Sequence, residues 1–227
     1  YAQLKLRAYT KAFDNFIQFL SVYKGNDQKM KSDASLRIGD IYFIQKAYTE
    51  AISYYQQAIE KSEFDNDYAL FQIAMSEGYL DKPKNKINTL LLLISTKPLS
   101  VYRTQAIFEL GSTYFEIEDF PHALEQFIVV EQVSPNSNLV AHARLKRGLI
   151  YIKQQDNNAA RDVFVSVITD YPQTREANEA LLSLKEVDVE KFTELARGSD
   201  FKDVSKEDVD AANFEEAEEA YLEENYQ

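Results

Sequence analysis

Residues Thr104 to Ser137, TQAIFELGSTYFEIEDFPHALEQFIVVEQVSPNS, set a pattern that the remainder of the chain repeats with variations. The first half spaces Ile107, Leu110, Gly111 and Tyr114 at three- and four-residue steps. The second half does the same with Ala123, Phe127 and Val130, and Pro135 closes the stretch. This spacing predicts two amphipathic helices and a stop. Small residues at Gly111 and Ala123, beside large ones at Tyr114 and Phe127, let two antiparallel helices approach closely while aromatic rings fill the adjoining space. The expected unit is therefore a helical hairpin.

Outward from this stretch the same positions recur. Ser32 to Asp65 carries Ile38-Gly39, Tyr42, Tyr48, Ala51, Tyr55 and Ala58, with Glu63-Phe64-Asp65 in place of the closing proline. In Asp67 to Ser100 the small residue is Ala74 and Pro98 closes the unit, but Glu77 stands at the tyrosine position and Lys86 at the small one. Pro83 suits the first residue of a second helix, where its missing N–H costs nothing. Ala141 to Thr174 follows with Gly148, Tyr151, Ala160, Phe164, Val167 and Pro172. The step from Gly39 to Ala74 is 35 residues, and those from Ala74 to Gly111 and from Gly111 to Gly148 are 37 each.

The combination of Leu-Gly, Tyr, Ala, Phe and Pro resembles the tetratricopeptide repeat (TPR), about 34 residues of helix, turn and helix. The resemblance spans about residues 9 to 190 and implies an all-α fold, a right-handed superhelix of TPR hairpins, or α-solenoid. The expected organisation is a TPR array over 1–198 and an acidic linker with the start of a further unit over 199–227. Within the array we expect a partial unit at 1–31, units at 32–65, 67–100, 104–137 and 141–174, and a degenerate partial unit at 175–198. The phrases FIQFLSVY, LVAHARLKRGLIYIKQQ and VFVSVITDYPQTREANEALLSLK resemble those of bacterial envelope TPR proteins. Two such families are the cell-division coordinator associated with the Tol-Pal system and the lipoprotein subunit of outer-membrane barrel assembly. That resemblance implies a periplasmic or outer-membrane-associated adaptor, although TPR arrays also serve in the cytoplasm.

Composition agrees with helices joined by short turns: 45% of residues are hydrophobic, with 6 Gly, 5 Pro, 15 Tyr and 14 Phe. The absence of Cys removes disulfides, thiolate metal sites and thiol nucleophiles. No apolar run approaches a membrane span, so no transmembrane segment is expected. The chain starts at Tyr1 without the basic start and apolar core of a signal peptide, so any targeting segment is expected to lie outside these residues. Of the net charge of −12, residues 199–227 carry −9, with eleven carboxylates against Lys202 and Lys206, leaving −3 for the array. Neither part offers the basic stripe that a nucleic acid requires.

No catalytic constellation is present. His122 and His142 lie outside any His-Glu-x-x-His pattern, the glycines are isolated and there is no Gly-x-Ser-x-Gly elbow, so no enzyme, metal or cofactor is expected. Arg144 and Arg147 replace mostly apolar residues of the other units. Either their heads reach a carboxylate such as Glu131, or they anchor an acidic ligand.

What the family resemblance implies for binding is a groove lined by first helices that takes an extended peptide. Residues three before, one after and four after each small residue should face it, which selects Phe43, Phe71, Met75, Phe108, Phe115, Leu145 and Leu149 as partner-binding groove residues, with Asp40 at an equivalent slot. The Lys and Asn of the family's carboxylate clamp are not matched. The competing reading makes these side chains repeat-to-repeat core. The expected function is a non-enzymatic scaffold for a partner protein or peptide. The alternatives are a carbohydrate-binding helical repeat, since aromatic rings also stack on sugars, or an accessory domain of a larger enzyme. Self-association is expected through the end repeats or through a helix over 205–226, whose Phe214, Ala217 and Tyr221 share a face.

Overall fold

The computed structural model describes residues 9–61 and 66–197, so Glu63-Phe64-Asp65, the remnant before Tyr9 and the acidic segment 199–227 with its expected helix lie outside the described residues. Among the described residues there are eleven helices and no strand. They are α1 Tyr9–Val22, α2 Gln28–Ile44, α3 Tyr48–Lys61, α4 Asn66–Tyr79, α5 Pro83–Thr96, α6 Arg103–Glu116, α7 Phe120–Val133, α8 Leu139–Lys153, α9 Asn157–Asp170, α10 Arg175–Val187 and α11 Val189–Arg197. The chain divides into two compact units between Thr113 and Tyr114, within α6.

Several helix starts have a local cause. Asp27 accepts a hydrogen bond from Met30 N at 3.1 Å, Asp156 from Ala159 N at 3.0 Å and Thr174 from Ala177 N at 3.2 Å, filling amide groups that a helix start leaves unpaired. Pro83 opens α5 and Pro121 sits in the first turn of α7. The turns inside the hairpins share one geometry. Lys46, Asp81, Glu118 and Gln155 all take a left-handed backbone, with φ of 61°, 53°, 61° and 61°. The amide of the following residue then reaches back five residues, as Ala47 N to Tyr42 O and Asp156 N to Tyr151 O at 2.9 Å. This is a Schellman termination that stops one helix and reverses the chain in three residues. The residues that stretch the repeat period stand instead between hairpins, as in the connection 97–102.

In the first unit, Ala51, Tyr55 and Ala58 of α3 pack with Leu36 of α2 and with Tyr68, Ala69 and Ile73 of α4, while Ala12 of α1 packs on Ile41. The close hairpin contact is at Gly39, where a Cβ would lie 2.6 Å from Tyr55 Cε1. In the second unit, Ala160, Phe164, Val167 and Ile168 of α9 pack between Leu145 of α8 and Ala180, Leu181 and Leu184 of α10. Here the close contact is at Gly148, facing Phe164.

The hairpin α4–α5 is built differently. Ala74 and Leu90, both fully buried, hold the places that Gly and an aromatic residue hold in the neighbouring hairpins. Lys86 is buried as well, its stem running past Gly78, where a Cβ would meet Lys86 Cδ at 3.1 Å, and its Nζ reaches Glu109 Oε2 at 2.8 Å. Thr89 Oγ1 donates to Glu77 Oε2 at 2.7 Å, while burial pushes the Glu77 carboxyl up from its ordinary range. The two departures from the repeat pattern are thus each matched by a polar partner or by a missing side chain.

Candidate functional site

The first helices of the hairpins carry the residues selected from sequence. In the first unit, Phe43 is half-buried at the end of α2, with its ring edge-on to Tyr48 and Tyr79 at 5.4 and 5.7 Å between centroids. Tyr48 and Tyr79 stack on each other at 4.7 Å and 9°, and Tyr79 stays 56% exposed. Met75 and Phe108 are half-buried on α4 and α6. Phe71 is placed otherwise. It is 3% exposed and stacks on Tyr102 at 5.4 Å, so it has no area left for a ligand.

Asp40, expected at a groove slot, is fully buried at the junction of the first two hairpins. Tyr55 Oη and Tyr68 Oη donate to its Oδ1 at 3.0 and 2.6 Å, and Arg37 Nη1 donates to Oδ2 at 2.9 Å. Burial pushes this carboxyl up, offset in part by the Arg37 charge and the two hydroxyls. Because Arg37 and Asp40 come from α2, Tyr55 from α3 and Tyr68 from α4, the group ties one hairpin to the next instead of facing a ligand. Sequence spacing missed it because a one-residue signal cannot show which neighbours will satisfy a carboxylate.

In the second unit, Phe115 is half-buried, tilted against Phe120 at 6.1 Å, with Lys146 Nζ 5.1 Å from its ring centroid. Leu149 is half-buried, resting on the α8–α9–α10 core. Leu145, 3% exposed, belongs to that core itself. The core reading therefore holds at Phe71 and Leu145, whereas Phe43, Met75, Phe108, Phe115 and Leu149 keep accessible surface.

Arg144 Nε and Nη2 donate to Glu131 Oε1 and Nη1 to Asp170 Oδ2, while Arg147 Nη1 stands 3.4 Å from Glu131 Oε2. The guanidinium heads reach carboxylates, Glu131 among them, and the acidic-ligand anchor is not what these two residues form. His142 Nε2 lies 2.8 Å from Glu176 Oε1 on α10, and His122 Nδ1 lies 2.8 Å from Asp119 Oδ2 at the start of its own helix. No group of three metal-ligating side chains occurs among the described residues, and none of their helices is long and apolar enough to cross a membrane.

Paired helices, Schellman hairpin turns and a small residue packed on an aromatic ring are the features of a TPR-type helical-repeat fold. Residues 1–66 and residues 142–174 each match a family model described as tetratricopeptide repeat, so the chain carries TPR units. Solved structures share the fold. YrrB, described as a TPR protein with an unusual peptide-binding site, superposes with a TM-score of 0.62 at 18% identity, over 79% of this chain and 86% of that one. MamA from residue 41 to its end, from Desulfovibrio magneticus RS-1, gives 0.59 at 16% identity over 75% and 98%. The apo form of RapI gives 0.72 at 12% identity, and this chain spans 59% of RapI while 87% of its own length is covered. No curated protein matches the sequence. The likeness is one of fold, and the particular envelope families named above are not among these relatives.

Proposed function

We propose that the chain is a non-enzymatic scaffold whose units each offer the apolar face of their first helices to an extended peptide segment of a partner protein. The observation that carries this reading is the set of half-buried apolar side chains on those helices, Phe43, Met75 and Phe108 in the first unit and Phe115 and Leu149 in the second. An aromatic or thioether side chain with part of its surface open on a helix face is the kind of group that contributes to peptide binding. The peptide-binding site of YrrB, a protein of the same fold, supports the reading by analogy. Placement in the bacterial envelope belongs to the same proposal and rests on the sequence phrases alone, and self-association through the end repeats or through the 205–226 segment is proposed with it. Cell fractionation tests the placement.

The binding role is tested by affinity capture from native extract with the whole chain and with Phe108→Ala, identifying retained proteins by mass spectrometry. We expect a partner retained by the parent and lost, by about 2 kcal/mol or more, in the variant, with a smaller loss of folding stability. Undiminished capture by folded Phe108→Ala would remove Phe108 from the site, and retention of oligosaccharide in place of protein would favour the carbohydrate reading.

A further inference from the structure

Helix α8, LVAHARLKRGLIYIK, carries Arg144, Lys146, Arg147 and Lys153 and no carboxylate. At the helical period of 3.6 residues these cations fall on opposite faces. Arg144 and Arg147 share one face and meet Glu131 and Asp170. Lys146 and Lys153 share the other with Leu149 between them, about 10 Å apart along the axis. Helix α10 packs beside α8 and carries the exposed Lys185, whose ammonium lies over Phe192 of α11. Lys146, Lys153 and Lys185 have no carboxylate at ion-pair distance among the described residues, whereas Lys191 is held by Glu194 and Arg161 by Asp162. At the start of the same face the acid is already taken, since Glu176 pairs with His142, and Asp188 at the end of α10 caps Lys191 N and lies 4.0 Å from Arg161.

In a chain of net charge −12 this is an unusual allocation. Carboxylates are abundant, yet among the described residues those at ion-pair distance from α8 meet Arg144, Arg147 and His142, and Lys146 and Lys153 have none. The lysine stems are not free in space either. Lys146 Nζ sits 5.1 Å from the Phe115 centroid and Lys185 Nζ 5.7 Å from that of Phe192, which orients both ammonium groups beside apolar surface. A carboxylate arriving there meets cations that lose no existing ion pair and little side-chain freedom, next to Leu149 and Phe115, which can take an apolar side chain.

We infer that this face of the second unit binds an extended acidic peptide of a partner protein, with an apolar residue against Leu149 and Phe115 and flanking carboxylates on Lys146, Lys153 and Lys185. The inference deepens the peptide-scaffold reading and rests on it.

The probe is a fluorescein-labelled peptide of Glu, Leu and Ser, compared with the same peptide in which every Glu is Gln, titrated by anisotropy against the full chain. We expect the Glu peptide to bind about tenfold tighter, with an advantage that shrinks as salt is raised. Lys146→Gln and Lys185→Gln should each weaken the Glu peptide about threefold or more and leave the Gln peptide unchanged, and Lys191→Gln should do neither. Equal binding of the two peptides overturns the acidic preference while the groove stands. If neither peptide binds but the partner is still captured from extract, the inference falls and the scaffold reading survives. Should Gln at Glu215, Glu216, Glu218 and Glu219 of the full chain raise its affinity for the Glu peptide strongly, the face belongs to the chain's own acidic segment and the partner assignment is overturned.

Discussion

A Cβ placed on Gly148 of α8 would collide with Cε1 of Phe164 of α9, a ring that is itself fully buried. Helix α8 therefore meets α9 at a point where only hydrogen fits. Gly148→Ala should lower stability by about 1 to 3 kcal/mol through overpacking, although Ala is the better helix former by up to about 1 kcal/mol. The hairpin α4–α5 uses Ala74 with Leu90 in the corresponding places, so Phe164→Leu should recover part of the loss when combined with Gly148→Ala. A double-mutant cycle in urea checks this. Additive effects of the two changes would mean that the ring and the glycine are not coupled.

The four hairpin turns place a side chain at positive φ, where a Cβ costs about 1 to 2 kcal/mol. Glycine has no such cost but loses more freedom on folding. We expect Glu118→Gly and Gln155→Gly each to raise stability by about 0.5 to 1 kcal/mol, and Gln155→Val to lower it. Midpoints of thermal unfolding decide the matter. A loss of stability in both glycine variants would show that unfolded-chain entropy outweighs the left-handed strain at these turns.

His142 and Glu176 give the second unit a pH dependence. The Glu176 hydrogen bond holds the imidazole above its ordinary pKa, so its contribution is complete below the unfolded value of about 6.5 and is lost as pH rises through the folded one. Burial pushes Glu176 up, but the His142 hydrogen bond and charge outweigh it and leave the carboxyl depressed. Its contribution is present above about pH 4.3 and is lost as pH falls through the lower folded value. The pair therefore stabilises most in weakly acidic solution. Urea midpoints measured across pH should fall more steeply toward alkaline pH in the parent than in His142→Gln. Superimposable profiles would mean that the pair does not persist in solution.

How much of this was legible in the residues differs from element to element. The all-helical fold, the hairpin and the small-against-aromatic contact follow from the period of 3.6 and from side-chain volume, both of which are properties of a local stretch. Pro83 and the capping residues announce helix starts for the same local reason. The Schellman turns left no trace, because Lys46, Asp81, Glu118 and Gln155 occupy a conformation that sequence preference assigns to glycine. The half-apolar side of the first helices was legible, but the exposure of each residue on it was not. Periodicity places Phe71 and Phe43 on the same expected face, and only the arrival of Tyr102 from the connection before α6 covers Phe71, while Phe43 stays half-open. Asp40 was assigned to the same face, and the hydroxyls of Tyr55 and Tyr68, from helices distant in sequence, drew it into the core. The amino-acid order alone determined which side of each helix is apolar. Which apolar or charged group is finally covered depends on contacts with the neighbouring helices and connections, which a single stretch does not contain, and the packing of the folded units decided that.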